Sequence, residues 1–184
     1  MQQSSNLAIL VALAIVACGE PASSTTALHH PDAVPDRSVI AESAPSRRIA
    51  GRCETVLAPP LPLSPGVVRQ IDRGSCQLSH LGRADFYSDK TIQLAAGTQS
   101  TIATFTAPNG DLLEAAGSGA NVLISPGRVR FTAMLTFTGG TGRFAGSSGQ
   151  ASVEGEADLV NGTSTLSLDG TVAYAGSTRS SGRR

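Results

Sequence analysis

Few side chains in this sequence are of the kinds that do chemistry. The candidates are Cys18, the pair His29-His30, Cys53, Cys76, His80, Arg83 and Arg143. His80 shares the two-residue parity of Cys76 and Leu78, so it points toward the buried side of its strand. With Arg83 close by, it can serve as an acid–base group or a ligand anchor. An isolated inward histidine without a Ser, Cys or carboxylate partner can equally be structural, hydrogen-bonded at the end of a sheet. Arg143 sits in the run Gly139, Gly140, Thr141, Gly142, Arg143, Phe144, Ala145, Gly146. There it can grip an anionic group, with the loop amides forming a nest. The run carries no phosphate-binding lysine and leads into no helix. The alternative is that the four glycines shape a wide turn, Phe144 plugs one end of the fold and Arg143 is exposed. His29-His30 lack further ligands in a rigid geometry, so no metal is expected there. No Ser-His-Asp, His-Glu-x-x-His or dinucleotide signature occurs, so neither a catalytic residue nor a cofactor is assigned.

Composition narrows the field of partners. The 184 residues hold 14 Lys and Arg against 14 Asp and Glu. Without a basic block the chain lacks the cationic surface that nucleic-acid phosphates require. With 15% charged and 40% hydrophobic residues, it is neither a charged disordered chain nor a multi-pass membrane protein. Aromatics are 4% of the residues and Trp is absent, so the core must be built from Val, Leu, Ile and Ala.

Leu7 to Ala17 form one apolar run. Spanning a bilayer takes about 20 helical residues, so a run of this length is that of a signal-peptide hydrophobic region instead. Ile15-Val16-Ala17-Cys18, followed by Gly19, resembles the lipobox of bacterial lipoproteins. The resemblance implies a signal peptide over 1–17, a diacylglyceryl thioether on Cys18, and acylation of its new amine. Gly19 at the second mature position favours the outer membrane. The first six residues carry no Lys or Arg, a departure from the pattern. An ordinary cleaved signal peptide is the alternative, and it would leave the protein periplasmic or secreted. Residues 18–48 read as a Pro-, Ser- and Ala-rich tether with no sustained period, and 177–184 as a disordered Arg/Ser tail.

Between these ends, over 49–176, the period is two. Val129, Phe131, Ala133, Leu135 and Phe137 alternate with Arg, Thr and Met, and Ala151, Val153, Gly155, Ala157 and Leu159 alternate with Ser, Glu and Asp. Leu166, Leu168, Gly170, Val172 and Tyr174 form a third such face, and Ala103, Phe105 and Ala107 turn at Asn109-Gly110 into Leu113, Ala115 and Gly117. Helical periodicity is absent. Strands joined by such short turns are antiparallel neighbours. A meander of about eight of them protects its edges and its apolar face by closing into an up-and-down barrel. A two-sheet sandwich would need longer crossovers.

Ser79-His80-Leu81-Gly82-Arg83, Asn109-Gly110-Asp111 and above all Gly139 to Gly146 resemble bacterial allene-oxide-cyclase-like barrels. Those proteins are relatives of the plant allene oxide cyclases and dirigent proteins among the calycin-like barrels. The resemblance covers about residues 51–174. It implies an eight-stranded antiparallel barrel with an apolar lumen, compatible with a homo-oligomer such as a trimer, and no established reaction for bacterial members. The plant cyclase's buried carboxylate has no counterpart among the inward positions named above. Glu154, Glu156 and Asp158 fall on the opposite face, and the arginine that dirigent-like sequences carry after the glycine run is absent at Ser147 and Ser148.

Cys53 lies on the apolar parity of Thr55 and Leu57, and Cys76 on that of Leu78. In an oxidising compartment the two can form a cross-strand disulfide, closing a loop worth about 3 kcal/mol in the chain-entropy model; two buried free thiols are the alternative. The expectation is a lipid-anchored envelope barrel, structural or holding a small apolar molecule in its lumen. The other reading is a cyclase, isomerase or dirigent-like protein acting on a hydrophobic substrate.

Overall fold

A computed structural model describes residues 44–174 as nine strands and one short 3-10 turn. The strands are β1 (Ser46–Leu57), β2 (Leu61–Ser64), β3 (Val67–Leu78), β4 (Gly82–Gln93), β5 (Thr98–Thr106), β6 (Leu112–Ser125), β7 (Arg128–Gly140), β8 (Ser148–Asp158) and β9 (Thr163–Ala173). From β2 onward each strand pairs antiparallel with the next, and β1 pairs with both β9 and β3, which closes the sheet on itself. Pro59 and Pro60 have no N–H to give a ladder, so the first strand breaks there and resumes as β2. Leu57 faces Asp72 and Leu61 faces Arg69 on the same edge of β3. The barrel therefore has eight staves, the first of them interrupted, and the sandwich alternative is excluded by closure.

The ladder begins at Ser46, three residues before the expected start of the domain. Ser46 pairs with Ala173, and Arg48 donates to Asp169 at 2.6 Å, so residues assigned to the tether belong to a stave. Leu159 was expected to face inward; instead it lies in the β8–β9 turn, 53% exposed. The expected signal peptide over 1–17, Cys18, His29-His30 and the expected 177–184 tail lie outside the described residues.

Inward side chains form one core, and the two ends of the barrel differ. At the upper end are the turns at 79–81 and 107–111 and the glycine run. Phe144 is fully buried there and packs edge-on against Tyr174 at 5.0 Å between ring centroids. The lower end is formed by the chain break at 58–60 and the turns around Gly66, 94–97, 126–127 and 159–162. Midway, Cys53 and Cys76 face each other across β1 and β3 and are joined in a disulfide with Cα atoms 3.9 Å apart. Glycine permits this close seam. A Cβ on Gly74 would lie 2.0 Å from the Glu54 carbonyl oxygen.

The outer wall carries ion pairs that make acid stability predictable. Arg69 grips Asp89 through Nε (2.9 and 3.0 Å) and Nη2, and its guanidinium holds that carboxyl below the usual range. Arg130 and then Arg128 do the same to Glu156, the Asn161 amides to Asp158, and Arg48 to Asp169. Groups depressed in the fold stabilise it above their unfolded pKa values, about 4, and that contribution is lost as pH falls through the folded values. The urea midpoint is expected to hold from pH 7 to about 5 and to drop below about 4, less steeply in Asp89→Asn. A midpoint that rises on acidification would contradict this assignment.

Candidate binding site in the barrel interior

Strands β3, β4 and β5 place a polar group of side chains inside an otherwise apolar barrel. Asp72 lies beside Ser88 and Gln70 beside Lys90 in the β3–β4 register; Lys90 in turn lies beside Thr101 of β5. All five point inward because they keep the parity of buried neighbours such as Cys76 and Phe86. Lys90 Nζ donates to Asp72 Oδ2, and the ammonium lies 4.9 Å from the Phe131 ring centroid. Asp72 is wholly buried and Lys90 is 8% exposed. Gln70 donates to the carbonyls of Ala58 (2.6 Å) and Ile71 (3.1 Å); the Ile71 carbonyl also accepts the Ala58 N–H, so Gln70 ties down the chain just before the Pro59-Pro60 break.

Three buried atoms in this group have no hydrogen-bond partner: Asp72 Oδ1, Ser88 Oγ and Thr101 Oγ1. Buried polar atoms are nearly always paired, so three unpaired ones side by side mark a place for a polar guest. Ser88, Lys90 and Thr101 line a cavity of about 20 Å³, walled by Phe86, Phe105 and Phe131, with room for about one water-sized molecule. The ammonium of Lys90 and the hydroxyls of Ser88 and Thr101 thus face one small apolar cavity, with Asp72 behind the ammonium. Such a site can orient a hydroxyl or carbonyl.

The sequence reading missed this carboxylate. The long alternating faces came from β5 through β9, where none is acidic, and in β3 only Cys76 and Leu78 were placed inward, whereas Asp72 sits four residues before Cys76 on the same parity. Extending that alternation backward through β3, and forward from Phe86 to Ser88 and Lys90 in β4, was the available signal.

The residues singled out for ligand binding are elsewhere. His80 does not face the lumen: it lies exposed in the β3–β4 turn with φ of 67°, where the strand parity no longer applies. Arg83 is exposed on the outer face of β4. Arg143 is 28% exposed and acts as a clamp between upper-end turns. Its Nη2 donates to the His80 carbonyl at 3.0 Å, its backbone N–H donates to Asp111 Oδ2 at 3.3 Å, and the guanidinium covers Phe144 at 4.7 Å. The N–H groups of Phe144, Ala145 and Ser147 donate to carbonyls within the glycine run, so they are not free to form an anion nest. Gly142 has φ of +56°, and a Cβ there would lie 1.9 Å from Asp111 Oδ1, which explains the glycine beside the clamp. Among the described residues no group of three or more His, Cys, Asp or Glu side chains is placed to hold a metal ion.

No protein-family profile and no curated protein matches the chain. Among solved structures, the pterocarpan synthase dirigent protein GePTS1 is similar over 83% of this chain and 99% of its own, at 14% identity and a TM-score of 0.50. PsPTS1, also a pterocarpan synthase dirigent protein, is similar over 72% and 97%, at 15% identity and a TM-score of 0.49. The chain folds as a dirigent-like, eight-stranded antiparallel barrel.

Proposed function

We propose that this barrel takes up one small, largely apolar molecule bearing a single polar group, which docks between Asp72, Lys90, Ser88 and Thr101. The observation that carries this reading is the buried Asp72–Lys90 ion pair, whose spare carboxylate oxygen is unpaired and whose ammonium lines a small cavity walled by phenylalanine rings. Burying two charges costs several kcal/mol per ion, and such pairs seldom repay it in stability alone. A guest larger than water enters by turning aside Lys90 and Gln99, long side chains near the lower end. The upper end is closed by Phe144. The dirigent-like fold supports a barrel that handles a hydrophobic substrate. Asp72 gives a second reading, cyclisation or isomerisation, a residue able to take a proton from a substrate held at Lys90. The protein acts at the bacterial envelope, held by acylated Cys18 and the tether. The Cys53–Cys76 disulfide supports an oxidising compartment. Assembly into a homo-oligomer is compatible with this reading.

The test uses 1-naphthol, an apolar ring system with one hydroxyl. Native mass spectrometry is expected to find one naphthol per chain. Thr101→Val and Ser88→Ala are each expected to weaken binding by about five- to tenfold, the worth of about one hydrogen bond. Absence of naphthol binding, together with no molecule retained by protein purified from its host, would leave a filled structural barrel and defeat the proposal. The intact mass of the membrane-extracted protein tests the anchor separately: a mass without acyl chains removes it.

A further inference from the structure

Eleven large hydrophobic side chains stand exposed among the described residues, and all but Ile102 and Met134 gather at the lower end of the barrel. They come from several connections, among them Leu61, Leu94 (60% exposed), Leu123 (67%) and the neighbours Leu159 and Val160 (81%). Among the described residues the upper end has no comparable side chain.

The backbone beneath them is stitched into a ring. Leu94 N–H donates to Gly66 C=O (2.8 Å), Asn121 N–H to Gly97 (2.6 Å), Leu159 N–H to Gly127 (2.7 Å) and Leu57 N–H to Gly162 (2.8 Å). Each bond joins neighbouring connections, so the aliphatic tips project from a fixed frame. The connections are also uncharged. Residues 58–66, 94–97, 121–127 and 159–162 contain no Asp, Glu, Lys or Arg. The nearest charges, Arg128 and Asp158, flank two of these turns and pair with each other at 3.8 Å.

We propose that this lower rim docks on a lipid bilayer, with its aliphatic tips in the boundary between headgroups and acyl chains. That boundary takes up apolar side chains and penalises charges and unpaired amides. The rim offers the first, keeps charges out of its tips with the flanking Arg128 and Asp158 paired to each other, and uses the amides named above within its own ring. A second copy of the chain is the other possible occupant, and the experiment below distinguishes it from lipid. The contact is independent of Cys18 and of any molecule in the lumen. It would place the lower mouth of the barrel against the medium in which apolar molecules dissolve.

The experiment uses the full-length chain carrying Cys18→Ser, with one added cysteine, Val160→Cys or Asn109→Cys, labelled with the polarity-sensitive dye NBD. Vesicles of phosphatidylcholine and phosphatidylglycerol are added with and without doxyl-labelled lipid. The label at 160 is expected to brighten several-fold and to be quenched by doxyl lipid, while the label at 109 at the upper end stays unchanged. Leu94→Ser combined with Leu123→Ser is expected to weaken that response by about tenfold or more, given the apolar transfer lost at two side chains. Circular dichroism confirms that the exposed substitutions leave the barrel folded. A label at 160 that stays aqueous on vesicles that have bound the protein would overturn the proposal, because the leader alone would then account for attachment. A signal at 160 that rises with protein concentration without vesicles would assign the rim to a second copy instead.

Discussion

Asp72→Ala is expected to destabilise the barrel by about 3–5 kcal/mol, a large part of the 5–15 kcal/mol typical of a domain. The cause is the charge left behind. Lys90 would keep its ammonium near the Phe131 ring with its carboxylate partner gone. Replacing both members with apolar residues of similar size, Asp72→Leu with Lys90→Met, is expected to be neutral or stabilising by about 1–4 kcal/mol, because neither ion then has to be desolvated. The contrast between single and double variants separates a pair kept for stability from one kept for a guest. Urea unfolding of the native chain, Asp72→Leu, Lys90→Met and the double variant measures it as a double-mutant cycle, with Asp72→Ala alongside. A cost below about 1 kcal/mol for Asp72→Ala would mean that the pair is solvated in the manner of surface pairs, and would remove the main argument for an interior site.

Loss of the Cys53–Cys76 bond, by Cys53→Ala with Cys76→Val or by reduction, is expected to cost about 3 kcal/mol and to lower Tm by about 10 °C. The bond joins residues 23 apart that face each other across β1 and β3. The proline break lies between these residues in sequence, so without the bond the unfolded chain recovers the freedom of that whole loop. β1 matters more than most strands because its pairings on both sides close the barrel. Both sulfurs are buried, with Cys53 1% and Cys76 2% exposed, so a thiol reductant is expected to open the bond slowly without denaturant, and alkylation before reduction to leave both untouched. Calorimetry with and without reductant gives the shift. Equal midpoints in the two conditions, with reduction verified by thiol titration, would show that strand pairing alone holds the seam.

Much of the architecture was legible because it rests on a local rule. Phe131, Leu135 and Phe137, Ala151 and Val153, and Leu166, Leu168 and Val172 alternate with polar residues, and each is buried as that alternation requires. Closure followed from the cost of leaving edges and an apolar face uncovered. The rule failed where strands end. His80 and Leu159 were assigned inward by extending a parity one or two residues past the last ladder pair, and turn geometry reversed both.

The interior site was legible only in part. Asp72 and Lys90 are 18 residues apart, and no spacing motif connects them. They meet because the β3–β4 hairpin brings their staves side by side, which depends on register. Arg143, Asp111 and His80 likewise meet only at the upper end, where three turns converge. The sequence by itself determined the all-β class, the positions of most inward side chains and a pair of cysteines free to bond, because alternation and parity are local properties. Tertiary structure alone decided which inward side chains touch, that a charged pair lies among aromatic rings, and that one rim is uncharged and aliphatic. Those outcomes depend on how strands far apart in the chain are registered when the cylinder closes.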